Sequence, residues 1–366
     1  MTRPVRYAVA GLGNIAQVAV LPSFTHAKEN SKLVALLSSD AEKLGVLARK
    51  YDVEHTGSYE RFEDVLRASN ADAVYVALPN TMHRAMTERA AAVGVHVLCE
   101  KPMATSVEDC EAMIAATKAA GVKLMIAYRL HFERANLTAI DRVRRGEIGD
   151  PRIFTSVFSQ QVREGDIRTD GRYGGGALFD MGIYCINAAR NLFRSEPLEA
   201  FAFQARDTDQ RFHGVDATTT AILRFPGGGL AQISASQGAA DVSEYRIVGT
   251  RGDVRLEPAY DYSVKLREFT TVEDETKKES FSKRDQFAPE IIHFSDSILG
   301  GTEPEPSGEE GLCDVRVIHA IQVSARTGQR VTLAPYDRED RPNMRLEMRR
   351  PAVGKVKPVH APSPSK

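Results

Sequence analysis

Tyr7-Ala8-Val9-Ala10-Gly11-Leu12-Gly13-Asn14-Ile15-Ala16 joins a short apolar run to a GxGxxA turn near the head of the chain. The run reads as a strand, and the residues after the turn as the start of a helix. In that setting each small residue has a mechanical task. Gly11 permits the tight turn, Gly13 lets the backbone approach a pyrophosphate, and Ala16 lets helix and strand pack closely. The helix N-terminus then faces the phosphate charge. Such a pattern is weak in isolation. Here it gains force from the rest of the first third, where the apolar runs Leu33–Leu37, Ala73–Leu78, His96–Cys99 and Leu124–Ala127 alternate with helical patterns. Those patterns run from Ala41 to Lys50, Tyr59 to Ala68, His83 to Val93 and Val107 to Ala119. Near-continuous apolar strands alternating with helices imply a parallel sheet covered on both faces. The expected unit is a Rossmann dinucleotide-binding domain over residues 1–128, with Gly11, Leu12, Gly13, Asn14 and Ile15 as its phosphate turn.

The end of the second run selects between cofactors. An Asp or Glu there binds the ribose hydroxyls of NAD and would repel a 2′-phosphate. Here Leu37 is followed by Ser38-Ser39-Asp40-Ala41-Glu42-Lys43. Two hydroxyls hold the decisive places, Lys43 lies one helical turn on, and Asp40 is expected to cap the next helix. The expectation is NADP, with NAD as the alternative.

Residues 129–336 read differently. A helix is expected from Ala135 to Arg145, then strands near Arg152–Val162, Leu198–Gln204, Thr218–Phe225, Leu230–Ser236 and Tyr245–Gly249. Tight turns such as Pro226-Gly227-Gly228-Gly229 separate some of them, which indicates a mostly antiparallel open sheet. Helices from Pro289 to Leu299 and Gly308 to Thr327 are expected to close this domain. The fold class is therefore α/β: a Rossmann domain followed by an α+β domain. Residues 337–366, with Arg341, Arg345, Arg349, Arg350, Lys355 and Lys357, read as a basic tail that is extended or disordered.

Bulk properties remove other classes. The chain has 366 residues, which suits two domains, and a net charge of −1, which gives nucleic acid or an anionic membrane nothing to attract. No uncharged run approaches the roughly 20 apolar residues that span a bilayer. The four cysteines show no zinc spacing and read as reduced thiols, so no metal is expected. The N-terminal residues show no secretory pattern, and the expected location is the cytoplasm.

The segment Cys99-Glu100-Lys101-Pro102-Met103-Ala104 resembles the EKP motif of the glucose–fructose oxidoreductase, inositol dehydrogenase and rhizopine-catabolism family. The resemblance extends over about residues 5–333. It takes in Leu78-Pro79-Asn80-Thr81-Met82-His83, Ala127-Tyr128-Arg129-Leu130-His131-Phe132, Gly174-Gly175-Gly176 through Asp180-Met181-Gly182-Ile183-Tyr184, and Ser307-Gly308-Glu309-Glu310-Gly311. The runs Glu100–Cys110 and Asp180–Asn187 are most similar to the glucose–fructose branch. One departure is Ile167-Arg168, where a tryptophan often precedes the arginine.

The resemblance implies hydride transfer between a nicotinamide and a sugar or polyol, with Lys101 as the active-site lysine. In many members a His ends the motif that begins at Asp180; here Tyr184 takes that place and with it the proton-transfer role. A phenol is a poor base at neutral pH, and a neighbouring cation favours its phenolate, so a Lys101–Tyr184 pair is chemically sensible. Asp180, one turn earlier, is expected to orient substrate or Lys101. Leu78, Pro79, Asn80, His83, Glu100 and Arg129 complete the expected cofactor site. Arg129, His131 and Arg168 join the three catalytic residues as expected substrate contacts. Two other functions fit the same pattern: a glycoside hydrolase with NAD as transient redox centre, and a non-catalytic dinucleotide-binding regulator. The expected partners are a small sugar or polyol and further copies of the chain, as a homodimer or homotetramer.

Overall fold

The apolar runs of the first third become a six-stranded parallel sheet. The computed structural model describes residues 3–205, 209–338 and 340–365; Met1, Thr2 and Lys366, at the outer ends of the expected domains, lie outside it. In chain order the elements are β1 (Val5–Ala10), α1 (Leu21–Ser23), β2 (Ser31–Leu37), α2 (Ala41–Tyr51), β3 (His55–Gly57), α3 (Phe62–Ala68) and β4 (Ala73–Val76). They continue with α4 (His83–Ala92), β5 (His96–Glu100), α5 (Val107–Ala119) and β6 (Leu124–Ala127). The strand order β3-β2-β1-β4-β5-β6 reverses direction at β1, which opens a crevice at the carboxyl ends of β1 and β4. Tyr7, Val9, Tyr75, Val97 and Leu98 are wholly buried, as strands covered on both faces require. The short, polar β3 lacks the apolar signal that revealed its neighbours.

After α6 (Arg134–Arg144) comes a nine-stranded sheet built from β7 (Pro151–Ser159) and, beyond α7 (Ile183–Phe193), from β8 (Glu199–Ala205), β9 (Thr218–Arg224), β10 (Leu230–Ser236) and β11 (Val242–Gly249). It is completed by β12 (Gly252–Leu256), β13 (Leu266–Val272), β14 (Glu275–Phe281) and, after the helices α8 (Ala288–Gly300) and α9 (Gly308–Thr327), by β15 (Val331–Thr332). Every neighbouring pair is antiparallel except β7 and β10. The sequence reading missed β12, β13 and β14. In β14 only Phe281 is buried, so it carries no apolar alternation. One face of the sheet packs on α6, α7 and α9. The other presents Ile153, Phe203, Ile222 and Leu230 to solvent.

One expectation is corrected. Helix α8 does not close the second domain; it returns to β1 and β2, where Ile291, Ile292 and Phe294 enter the Rossmann core. Tyr7 and Ser295 are hydrogen-bonded across that contact at 2.9 Å. The basic tail is extended, but it is laid along its own chain. Arg338 and Arg341 are buried against Glu305, Glu310 and Glu196, and Leu346 and Met348 pack on the Rossmann core. Arg349 and Arg350 pair with Glu347 and Glu29. Among the described residues no helix is long and apolar enough to cross a membrane.

Candidate active site

The strand ends converge on one cleft of about 1300 Å³. That exceeds the roughly 300–1,000 Å³ usual for one small molecule, so a dinucleotide and a second ligand fit together. The Rossmann side supplies Gly11–Ile15 after β1, Ser38, Ser39 and Lys43 after β2, and Leu78, Pro79 and Asn80 after β4. Glu100 and Lys101 follow β5, and Arg129 follows β6. The second domain supplies Phe158, Arg168, Asp180, Tyr184, Tyr260 and Tyr262.

The glycine turn fits a pyrophosphate for reasons visible in the backbone. Gly11 has φ +97°, and a Cβ there would stand 2.1 Å from the Ala77 carbonyl oxygen. Gly13 has no heavy atom within 4 Å of the place its Cβ would take, which leaves the turn open to a ligand. Asp40 is turned away from the cleft, and its carboxylate accepts the Lys43 amide at 3.0 Å as the N-cap of α2. No carboxylate from the end of β2 lines the cleft.

At the other end, Lys101 and Asp180 face each other across the domain junction. Lys101 Nζ donates to the Asp180 backbone oxygen at 3.1 Å and lies 3.6 Å from its Oδ1. Arg168 Nε lies 3.4 Å from Asp180 Oδ2, and its Nη1 donates to Asp166 at 3.1 Å. Burial works against the Asp180 charge, but Arg168 and Lys101 outweigh it and hold the carboxyl below its ordinary range. Glu100 goes the other way: burial pushes its carboxyl up, and Tyr75 donates to it at 2.8 Å.

Tyr184 stands in the first turn of α7, wedged by Phe158 and Tyr260 at ring-centroid distances of 5.5 and 5.8 Å. Lys101 Nζ lies over its ring face, 4.6 Å from the centroid. The cation at the hydroxyl is Arg129, whose Nη2 donates to Tyr184 Oη at 3.3 Å. The Lys101–Tyr184 pairing expected at the oxygen is thus divided between two cations. Arg129 is itself fixed by Gln286 and the Tyr260 carbonyl.

Two expected residues fall outside the cleft. His83 is fully buried, with its ring nitrogens each 2.9 Å from the carbonyls of Pro102 and Leu78. It braces the two loops that carry Lys101 and Asn80 and has no surface to offer a cofactor. His131 is 2% exposed and faces Asn187 at 3.0 Å, behind Tyr184. Only a separate cavity of about 30 Å³ lies between His131 and Tyr184. Sequence reading missed Gln286, Tyr260 and Tyr262, which sit in irregular segments outside any motif. It also missed Ser363, Pro364 and Ser365, which line the cleft from the tail.

Residues 5–128 match the model of an oxidoreductase family with an NAD-binding Rossmann fold, and residues 136–255 match the GFO/IDH/MocA C-terminal domain. A D-xylose 1-dehydrogenase [NADP(+)] of Haloarcula marismortui is 34% identical over 342 residues, covering 90% of this chain and 93% of its own. The structure of an aldose-aldose oxidoreductase from Caulobacter crescentus, complexed with glycerol, superposes with a TM-score of 0.86. It is 38% identical and covers 90% of this chain and 100% of its own. A 3-ketoreductase from Actinomadura kijaniata, in complex with NADP and TDP-benzene, gives 0.80 at 27% identity, covering 88% and 98%. Both halves of the cleft therefore come from domains of one family, and the chain belongs to the GFO/IDH/MocA oxidoreductases.

Proposed function

We propose that the chain is an NADP-dependent oxidoreductase acting on the carbinol or carbonyl carbon of an aldose. The observation that carries this is the convergence of Lys101, Asp180, Arg129 and Tyr184 at the end of a cleft that begins at a GxGxxA turn. The xylose dehydrogenase and the aldose-aldose oxidoreductase support an aldose, and two NADP-dependent or NADP-bound relatives support the cofactor. When bound, the nicotinamide would supply or accept the hydride.

The chain's own residues do the rest. Tyr184 Oη holds the proton exchanged with the substrate oxygen, and Arg129, 3.3 Å from Oη, fixes the phenol that carries it. Lys101, 3.6 Å from Asp180 Oδ1, stabilises negative charge as it grows on the substrate oxygen. Asp180, held ionised by Arg168 and Lys101, accepts from substrate hydroxyls. Phe158, Tyr260 and Tyr262 form the dry wall that strengthens these interactions. Ser38, Ser39 and Lys43 receive the 2′-phosphate.

The test is to mix the purified protein with NADP+ or NAD+ and a panel of aldoses and polyols, and to follow nicotinamide absorbance. Reduction of NADP+ by aldoses is expected. Cleavage of a glycoside without net turnover of added cofactor would overturn the reading in favour of the hydrolytic one.

The assembly proposed is a homodimer through the open face of the second sheet, in the cytoplasm. One row on that face runs Val248, Ile153 and Leu230 and ends at Arg224 and Glu199, and the next runs Arg246, Thr155, Gln232, Ile222 and Phe201. Burying the apolar members of such a face between two copies is the common solution. Ala221, Leu223 and Ile247 are not part of it, because they point into the core. Light scattering should give about twice the chain mass of 40.2 kDa, and a monomer would refute the arrangement.

A further inference from the structure

We propose that residues 359–365 of the C-terminal tail are part of the cofactor site: they strap NADP(H) into the cleft, and His360 offsets the carboxylates beside its 2′-phosphate end. The proposal rests on the NADP reading of the cleft.

The segment crosses from one domain to the other. On the Rossmann side Gln17 grips it as a strand neighbour would. Its Oε1 accepts from the Val359 amide at 2.8 Å and its Nε2 donates to the Val359 carbonyl at 2.9 Å. The same Nε2 donates to the Leu12 carbonyl in the glycine turn, and Gln17 is 1% exposed. Asn14, also in that turn, donates to the Ala361 carbonyl at 2.8 Å. On the other side the Pro364 carbonyl accepts from the Arg163 amide at 2.9 Å, and Ser365 bridges antiparallel to Val162. Ser363, Pro364 and Ser365 line the same cleft as Asn14, Ile15, Lys43 and Arg168. A ligand that fills the cleft touches the segment. The turn residues that receive a pyrophosphate are also the residues that hold the tail, so occupancy of one is sensed by the other.

His360 is the charged part of the strap. Its Nδ1 lies 3.0 Å from Asp40 Oδ2 and its Nε2 3.5 Å from Glu42 Oε2. Its φ of +46° is a conformation that an L residue adopts at a cost, and here it turns the ring onto the start of α2. Asp40 and Glu42 flank Lys43, the cation at the 2′-phosphate end, and two uncompensated carboxylates there would oppose a phosphate. The Asp40 hydrogen bond, then the two negative charges, hold the imidazole above its usual titration range and so favour its cationic form. The strap thus brings positive charge to the end of the site that distinguishes NADP from NAD.

The test uses the full chain, a deletion of residues 359–366, and His360→Gln. Each is loaded with NADPH and the release rate is followed by fluorescence during a chase with excess NADP+. Deletion is expected to speed release by about tenfold or more, since tightness is set mainly through off-rates. His360→Gln should weaken NADP binding by about two- to fivefold, the scale of one exposed ion pair, with less effect on NAD. Equal release from the full chain and a folded deletion protein overturns the strap. An unchanged NADP-to-NAD ratio in His360→Gln overturns the role of the imidazole. Trypsin cleavage after the exposed Lys355 gives a second readout on the intact chain, and bound NADPH should slow it; an unchanged cleavage rate also overturns the strap. A full chain that binds no NADP(H) at all sinks the cofactor reading instead.

Discussion

Helix α7 separates two clusters made from the same kinds of residue. On the cleft side Tyr184 meets Lys101 and Arg129, and Lys101 and Arg168 meet Asp180, with polar contacts of 3.1 to 3.6 Å. On the far side Arg190, wholly buried, lies 2.5 Å from Asp314, 2.5 Å from Glu196 and 3.1 Å from Glu310. Asn187 adds bonds of 2.6 and 2.8 Å to Glu310 and Asp314, and Arg338 and Arg341 reach Glu310 and Glu196 from the tail. In the far cluster Arg190 is enclosed by three carboxylates at 2.5 to 3.1 Å. The cleft cluster is also hydrogen-bonded, but Lys101, Arg129, Arg168, Asp180 and Tyr184 all line the open cleft, where a ligand can reach them. Residue type does not separate a lock from a reaction site; access to the cleft does.

The comparison breaks most visibly at Arg190. Arg190→Met leaves Glu196, Glu310 and Asp314 without their central cation, and removing one partner of a buried ion cluster costs about 3–5 kcal/mol. Denaturant unfolding should show a loss on that scale, while the surviving folded protein keeps its cofactor stoichiometry. A loss below about 1 kcal/mol would mean that this cluster is no tighter than surface pairs.

Lys101 is the counterpart in the cleft. Lys101→Ala removes a cation that matters when the substrate oxygen becomes anionic, so turnover should fall about 10²–10³-fold, or roughly 3–4 kcal/mol. Asp180 keeps Arg168, so the unfolding midpoint should hardly move. A protein that loses stability instead of turnover would put Lys101 in the first class. Tyr184→Phe sharpens the same side. It removes the proton carrier and should lower kcat about 10²-fold. Near-normal activity across the pH range would pass the proton to Asp180, the neighbouring carboxyl at that end.

How much of this was legible depends on which physical signal each residue carries. The Rossmann order was legible because buried parallel strands are continuous apolar runs, and the glycine turn because its backbone geometry tolerates few residues. β14 was not, since a polar edge strand has no pattern to read. In the site, Lys101, Asp180 and Tyr184 were singled out through their motifs, and the fold brings them to one cleft. His131 was misplaced because position after β6 says nothing of ring direction: its ring turns under α7 to Asn187 and away from the cleft. His83 was misplaced for a similar reason, since loop bracing and ligand contact look alike in a sequence. The tail was read only as a run of basic residues. Their partners Glu196, Glu305 and Glu310 lie far along the chain, and no local pattern connects them.

The smallest effect expected lies at the far end of the cleft, where the contrast between enclosed and cleft-lining charges also applies. Lys43 lines the cleft while its amide caps α2 through Asp40, so the side chain can be removed without disturbing the helix start. Neither Ser38 nor Ser39 carries charge, and among the described residues Lys43 is the only lysine or arginine near the end of β2 that lines the cleft. Losing one charge-assisted contact to a phosphate should cost about 1–3 kcal/mol in NADP binding and almost nothing in NAD binding. Titrating wild type and Lys43→Ala with both cofactors measures the difference directly. Equal affinity of the wild type for NADP and NAD would refute the assignment of this end to a 2′-phosphate. Parallel losses for both cofactors in Lys43→Ala would mean that Lys43 supports the helix rather than the ligand, and would move it to the same class as His83.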